Sequence, residues 1–207
     1  MNHFSHESPS VLSGEDQRVV HASDLPYKPS APYFLYFGVI EKTKGLDKAL
    51  AAFHELRRNL QPHYPIEFVV VGAPGNLYKE IRPQFDEPGV RYLGHVSDSD
   101  LKELVSGAVA VLFLSEYEGF GFPAVEAMLL GARVLVSRGT VLEEVCGDFA
   151  KSIDCLNVQV IAGAMASLVT AEKNEAQIQA QKRYLLETYN WRVAASQLLA
   201  GLLSTRQ

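Results

Sequence analysis

The feature that most constrains the fold is a regular alternation of short apolar segments with amphipathic helical segments. Residues 33–37 (YFLYF) are a continuous apolar run, which is typical of a strand buried on both faces. Residues 46–60 then place leucine and phenylalanine at helical spacing. Similar strand-like runs recur at 67–72, 90–94, 109–114, 134–137 and 149–153, separated by helical segments. This order predicts an α/β fold with a doubly wound, parallel, Rossmann-like sheet.

The domain organisation follows from where this alternation begins and ends. Residues 1–32 are rich in Ser, His, Asp and Pro and sustain no apolar pattern, so we predict a poorly structured leader or linker there. Helical patterns at 157–171, 174–187 and 192–203 predict a helical C-terminus. The 207 residues, 47% hydrophobic and 21% charged, are typical of a soluble protein, and we predict one domain at 33–207.

Charge and cysteine content exclude several classes of partner. The net charge of -5 gives no general attraction to nucleic acid or anionic lipid, so any anion site must be local. The two cysteines, Cys146 and Cys155, are too few for a disulfide framework, which favours a reduced cytoplasmic setting. No apolar run approaches the roughly 20 residues of a membrane span. Asp98 and Asp100 open a helical pattern for which Ser97 or Asp98 is the predicted cap, so we predict helix capping there and no metal site.

The strongest chemical signal is the segment 115–128 (SEYEGFGFPAVEAM), a glycine-bearing loop that leaves a buried strand and enters a helix at Pro123. Gly119 and Gly121 let the backbone approach a ligand closely. The free N–H groups and dipole of the helix start favour an anion such as a diphosphate. Glu118 and Glu126 flank this site, where they could bond sugar and ribose hydroxyls. The alternative reading is a tight strand–helix turn with surface glutamates.

This segment resembles the E-x7-E signature of retaining glycosyltransferases of family 4, glycosyl transferases group 1. The enzymes of that family have the GT-B fold of two Rossmann domains. Residues 38–46 (GVIEKTKGL) resemble the first loop of the second domain, and residues 90–96 and 134–148 keep the family's register. The resemblance runs from residue 33 to residue 191 and implies the C-terminal, donor-binding half of a GT-B architecture.

The resemblance implies roles for individual residues. Lys44 corresponds to the lysine that pairs with the donor diphosphate, and Glu118 to the glutamate near the donor sugar; these two are the predicted catalytic residues. Glu126 corresponds to the residue that holds the ribose. The remaining positions that the resemblance places around the donor are Gly38, His95, Val96, Gly119, Phe120 and Gly121, the two after β-strand 90–94 lying near the base.

One position departs from the pattern. Many family members have an arginine directly after the first-loop glycine, and this chain has Val39 there. Loss of one charge-assisted hydrogen bond costs about 1.5–3 kcal/mol. Donor binding then relies on Lys44 at the diphosphate, without the second positive charge that the arginine adds, and we expect it to be weaker.

The implied function is transfer of a hexose from a nucleotide-diphosphate sugar, either GDP-mannose or a UDP-sugar, to a glycan or lipid-linked acceptor. We expect no cofactor and no metal, and a location in the cytoplasm or at the inner membrane face. Since residues 1–32 cannot form the family's first domain, we expect a separate N-terminal Rossmann domain or partner chain. One alternative is a non-catalytic nucleotide-sugar-binding or partner subunit of a split glycosyltransferase. A half of a nucleotide-sugar epimerase is another, although that group lacks the E-x7-E wording.

Overall fold

The computed structural model describes residues 28–60 and 64–190. Residues 1–27 of the predicted leader and the predicted helix at 192–203 lie outside this range. The strands are β1 Tyr33–Phe37, β2 Glu67–Val71, β3 Val90–Gly94, β4 Ala110–Phe113, β5 Val134–Ser137 and β6 Lys151–Ile153. The helices are α1 Leu46–Asn59, α2 Tyr78–Ile81, α3 Asp98–Gly107, α4 Phe122–Leu129, α5 Val141–Cys146, α6 Val158–Thr170 and α7 Glu175–Thr188.

The six strands form one sheet in the order β3-β2-β1-β4-β5-β6, and every described pairing is parallel. The predicted doubly wound Rossmann-like fold is therefore confirmed. Strands β1 and β4 lie side by side at the centre, with Phe34 opposite Ala110 and Leu35 opposite Val111. The chain leaves these two strands in opposite directions, which opens a crevice beyond their carboxyl ends, where ligands of such sheets bind.

Successive strand residues face two separate apolar cores, because side chains alternate across a sheet. Phe34 and Phe68 face the core shared with α1 and α6, where they pack with Phe53. Leu35 faces the opposite core, shared with α3, α4 and α5, and packs there with Val105. Fully burying each such side chain contributes about 1.5–3 kcal/mol. Both faces of the central strands are covered, which explains their continuous apolar sequences and makes them a rigid platform for the crevice loops.

The last strand starts later than its sequence predicts. Residues Gly147–Phe149 form a short 3-10 turn, and β6 begins at Lys151. The Phe149 ring lies 5.4 Å from the ring of Tyr184 on α7, centroid to centroid. The apolar run 149–153 therefore divides into Phe149, which packs against α7, and the three-residue strand β6.

Within residues 28–60 and 64–190, none of the helices combines the length and the apolar character that crossing a membrane requires.

Candidate functional site

Two loops border the crevice: the β1 loop (residues 38–45) and the β4 loop (residues 114–121). The amide of Glu116 donates to the carbonyl of Thr43 at 2.9 Å, which joins the two loops. Gly45 approaches the other loop so closely that a Cβ there would lie 2.3 Å from the carbonyl oxygen of Leu114. The side chains of Lys48 and Glu116 add a salt bridge of 2.7 Å. Backbone contact of this kind holds the two loops in a fixed relative position.

The pair of residues predicted to be catalytic meets in this crevice. The ammonium Nζ of Lys44 lies 2.8 Å from Oε1 of Glu118, across 74 residues of sequence. The hydroxyl of Ser115, which is buried, donates to the same Oε1 at 2.8 Å. Both side chains remain partly accessible, Lys44 at 30% and Glu118 at 18%. Glu118 is therefore held in place through one carboxylate oxygen.

The cavity around this pair has a volume of about 360 Å³ and is lined by residues of both loops, among them Gly38, Lys44 and Glu118. Its volume falls in the range of small-molecule sites, about 300–1,000 Å³. The hydroxyl of Tyr36 donates to the carbonyl of Val39 at 2.8 Å and so fixes the start of the β1 loop. Burial, with additional contributions from Glu41 and Glu118, raises the pKa of Tyr36 above its ordinary value, so the phenol stays protonated and keeps donating.

Helix α4 directs its N-terminus at the same cavity, and Pro123 contributes to the cavity wall. The helix begins at Phe122, one residue before the predicted start, and Pro123 lies in its first turn. Gly121 precedes it in the left-handed region, with φ 88°. The partial positive charge of this helix end and the ammonium of Lys44 face one space, which favours a bound anion.

Glu126 occupies a second, adjoining cavity, which we call the α3–α4 groove. It has a volume of about 510 Å³ and lies between helices α3 and α4. The residues that line it are Phe37, Asp98, Leu101, Lys102, Val105, Glu126, Ala127, Leu129 and Leu130. Phe37 lines both cavities, so they share a wall at the end of β1. The structure thus separates the two signature glutamates into neighbouring compartments.

The glycines of the β4 loop differ in their surroundings. A Cβ on Gly119 would have no heavy atom within 4 Å, and the residue is exposed. A Cβ on Gly121 would lie 2.4 Å from Cδ2 of Leu142. Gly119 is therefore an open position of the loop, whereas Gly121 is required by the packing and the backbone of the turn.

Phe120 takes part in an aromatic cluster. Its ring lies 4.5 Å from the ring of Phe122 and, edge to face, 5.3 Å from the ring of Tyr189, centroid to centroid. Tyr189 follows α7, and its hydroxyl donates to the carbonyl of Val145 at 3.0 Å. The side chain of Phe120 thus anchors the β4 loop to the end of α7, and its backbone remains the part that can meet a ligand.

The two residues predicted near the base are placed differently from one another. His95 is exposed in the loop after β3. The side chain of Val96 is 3% exposed and packs in the core beneath α3, so only its backbone can face a ligand. Neither lines the two cavities described above.

Sequence reasoning assigned no role to Ser115 or Lys102, and it predicted Ser97 or Asp98 as the cap of α3. Ser115 lies three residues before Glu118 in a loop that leaves a buried strand. This spacing could have predicted a contact between the two side chains. Ser97, and not Asp98, caps α3, since its hydroxyl accepts from the amide of Asp100. Lys102 follows Asp98 by one helical turn, so both lie on the face of α3 that borders the groove.

The sequence matches the family model for glycosyl transferases group 1 over residues 21–184. This chain belongs to that family. It is 35% identical over 134 residues to the O-antigen chain mannosyltransferase B of Escherichia coli, a match that covers 63% of this chain and 35% of that protein. It is 28% identical over 203 residues to the Escherichia coli serotype-specific mannosyltransferase WbdA, covering 93% of this chain and 25% of WbdA.

A solved structure shows the same fold. The Anabaena protein Alr3699/HepE, in complex with UDP and glucose, superposes with a TM-score of 0.68 at 20% identity, over 84% of this chain and 48% of that one. This chain therefore spans less than half the length of the two mannosyltransferases and of the Anabaena protein. Its parallel sheet and flanking helices have the Rossmann-like fold found in GT-B glycosyltransferase structures.

Proposed function

We propose that this group 1 domain binds the nucleotide-diphosphate sugar from which a retaining, family 4 glycosyltransferase moves a hexose to a glycan or lipid-linked acceptor. The observation that supports this most directly is the meeting of Lys44 and Glu118 at 2.8 Å, from two different loops, at the switch point of the sheet. A single cation, a partly accessible carboxylate and a helix N-terminus share one cavity there. Mannosyltransferases among its relatives make a mannosyl donor the first candidate.

In the proposed reaction, the bond between the sugar and the diphosphate breaks and negative charge grows on the leaving diphosphate. The ammonium of Lys44 and the start of α4 would stabilise that charge. Because Lys44 is already paired with Glu118, the incoming phosphate must share or displace this contact. The second carboxylate oxygen of Glu118 would accept hydrogen bonds from the sugar hydroxyls, and the carboxylate of Glu126 would accept hydrogen bonds from the ribose diol.

We further propose that the reaction needs no bound metal or organic cofactor. The support is local: Lys44 and the dipole of α4 stand where a divalent cation would otherwise neutralise the diphosphate. Among residues 28–60 and 64–190, the carboxylates that line this cavity are those of Glu41 and Glu118, and Glu118 is paired with Lys44. Donor affinity should therefore be the same with and without a chelator in the buffer.

Transfer requires an acceptor, and we propose that a second Rossmann-like domain, in the same or a partner chain, supplies its site. Three large apolar side chains are exposed around the crevice: Val39 at 44%, Tyr117 at 77% and Phe122 at 56%. All three belong to the β1 and β4 loops or the first residue of α4. A covering domain would bury them over the donor. The proposed setting is the cytoplasm or the inner membrane face.

Isothermal titration calorimetry of the 207-residue chain with UDP, GDP and ADP and their sugars tests donor binding. Lys44→Ala should weaken binding of the diphosphate at least about tenfold, since it removes a charge-assisted hydrogen bond. Lys42→Ala is the matched control, because Lys42 and Lys44 belong to one short 3-10 turn (Lys42–Lys44) and Lys42 pairs with Glu80 at 3.4 Å. Glu126→Ala should weaken the binding of nucleosides and of nucleoside diphosphates to a similar extent, because it acts on the ribose. Absence of heat with every nucleotide at millimolar concentration would refute donor binding by this chain.

The same exposed apolar residues support a second candidate, a non-catalytic subunit that binds a nucleotide-sugar and a partner chain. Mass spectrometry of the native complex, combined with a transfer assay, discriminates between the two. Transfer activity that requires Lys44 supports the enzyme. Stable assembly and donor binding without Lys44-dependent transfer supports the binding subunit.

A further inference from the structure

Two ion pairs join the chain after β1 to the β4 loop, and they differ in what they face. The Nζ of Lys44 lies 2.8 Å from Oε1 of Glu118, and both residues line the cavity in the crevice. The Nζ of Lys48 lies 2.7 Å from Oε1 of Glu116, and neither of these two residues lines that cavity. The second pair therefore stands outside the space that a donor would fill, two residues before Glu118 along the β4 loop.

The surroundings of Lys48 are those of a fixed pair. Its side chain is 20% exposed, against 66% for both partners of the nearby surface pair Lys42–Glu80. Burial by itself lowers the pKa of Lys48, but the hydrogen bond and the charge of Glu116 outweigh it and raise this pKa above its ordinary value. Lys48 also lies in the first turn of α1, where the helix dipole opposes a positive charge. Glu116, and not the stability of α1, therefore accounts for a lysine at this position.

Glu116 anchors the β4 loop directly before a stretch that its surroundings confine little. Its amide donates to the carbonyl of Thr43 at 2.9 Å, and its carboxylate accepts from Lys48. The next side chain, that of Tyr117, is 77% exposed, and a Cβ on Gly119 would meet no heavy atom within 4 Å. Glu118 lies between these two open positions, so its place depends on its own side-chain contacts and on the anchor at residue 116.

Donor binding alters the contacts of Glu118. In the proposed function, the phosphate shares or displaces the ammonium of Lys44, which is one of the two side-chain groups bonded to Oε1 of Glu118. The other is the hydroxyl of Ser115, which belongs to the same loop and moves with it. The pair of Lys48 with Glu116 lies outside the cavity, so a donor does not compete for it. This pair can still tie the β4 loop to α1 when Lys44 has turned to the phosphate.

We propose that Lys48 is a positioning residue, which holds Glu118 at the donor sugar through Glu116 while Lys44 binds the diphosphate. Lys48 itself contacts neither the donor nor the reacting atoms. Its loss releases the β4 loop at residue 116 and weakens recognition of the sugar, whereas the diphosphate keeps Lys44 and the start of α4. This inference rests on the proposed function, in which Glu118 accepts hydrogen bonds from the sugar.

The experiment compares each nucleoside diphosphate with its own sugar in calorimetric titrations of the 207-residue chain. The probes are GDP with GDP-mannose and UDP with UDP-glucose, and the ratio of the two affinities in each couple reports the sugar contact. Glu118→Gln alters that contact directly and should weaken the nucleotide-sugar about tenfold, the value of one charge-assisted hydrogen bond. Lys48→Met should weaken the nucleotide-sugar about threefold or more and the diphosphate less than about twofold, because it acts on Glu118 and not on Lys44.

Matched variants separate positioning from a general effect on the fold. Lys48→Arg can still pair with Glu116 and should keep the wild-type ratio of affinities. Glu116→Ala should reproduce Lys48→Met, and the double variant should lose no more than either single variant, since both act through one pair. Lys42→Met removes the exposed pair with Glu80 and should match wild type. Thermal unfolding of every variant measures the part of the effect that is purely structural.

The outcomes separate this inference from the proposed function. A wild-type ratio in Lys48→Met, together with a lowered ratio in Glu118→Gln, overturns the positioning role and leaves donor binding intact. An equal loss of diphosphate and nucleotide-sugar affinity with a lower Tm also overturns it, because loosening of the fold then explains both. A wild-type ratio in Glu118→Gln overturns the sugar contact and the positioning role that depends on it. Binding of none of the diphosphates overturns the proposed function itself.

Discussion

A methyl group added at Gly121 should lower the stability of the fold, whereas one added at Gly119 should leave stability unchanged and weaken ligand binding. At Gly121 alanine must adopt φ 88°, which costs about 1–2 kcal/mol, and its Cβ would meet the buried side chain of Leu142 at 2.4 Å. The clash falls on the far end of a side chain, so Leu142 can shift, at the cost of overpacking, about 1–3 kcal/mol. Gly121→Ala should thus lose about 2–5 kcal/mol of unfolding free energy, or about 5–15 °C in Tm.

Gly119→Ala should leave stability within about 0.5 kcal/mol of wild type, because its Cβ meets no atom within 4 Å. That open space is where the proposed ligand approaches the loop backbone. One methyl group in a ligand's path weakens binding about tenfold or more. Thermal unfolding followed by circular dichroism measures the first effect, and calorimetry with nucleotide-sugars the second.

If Gly121→Ala unfolds at the wild-type Tm, residue 121 does not require the left-handed backbone conformation. Wild-type affinity in Gly119→Ala would show that the ligand does not approach the loop at residue 119. The two variants serve as controls for one another, since they differ only in which loop position receives the methyl group.

Two further predictions concern the support of the site. Gln181 is buried, and its Nε2 donates to the carbonyl of Met128 at 2.6 Å and to that of Ala132 at 3.2 Å. Gln181→Leu should therefore lower the free energy of unfolding in urea by about 1–3 kcal/mol, whereas Gln177→Leu, at an exposed position of the same helix, should change it little. An unchanged urea midpoint in Gln181→Leu would contradict this. Burial raises the pKa of the Cys146 thiol from 9.0 to about 12, so stability should fall as pH rises above 9, where the unfolded thiol ionises and the folded one does not. Urea midpoints of wild type and Cys146→Ala between pH 8 and 10 measure that slope, which should be shallower in the variant; equal slopes would rule the thiol out as its source.

The fold was predictable because the inner strands β1, β2, β4 and β5 are buried on both faces. A continuous run such as residues 33–37 has few other places in a soluble protein, and glycine marks the ends of several strands. The parallel order then places the β1 and β4 loops at one edge of the sheet. The family resemblance assigned Lys44 and Glu118 to one site, and the parallel order explains how they can meet although 74 residues separate them.

The details of the site were less accessible to sequence, because they depend on which groups pair and which do not. The direct contact of Lys44 with Glu118 and the support from Ser115 follow from loop geometry that no periodicity encodes. The sequence predicted Ser97 or Asp98 as the cap of α3 and could not choose between them, because Ser and Asp both cap helices well. The observed bond of Ser97 to the amide of Asp100 identifies Ser97 as the cap.

The contact between Phe120 and Tyr189 bears on how this domain can be cut for experiment. The family match ends at residue 184, and a fragment truncated there would keep every glycine and glutamate of the signature. It would nevertheless lose the ring that lies 5.3 Å from Phe120 and the hydroxyl that holds Val145. Such a fragment should still form its sheet, yet present a loosened donor loop. A fragment used for binding studies should therefore extend past residue 189.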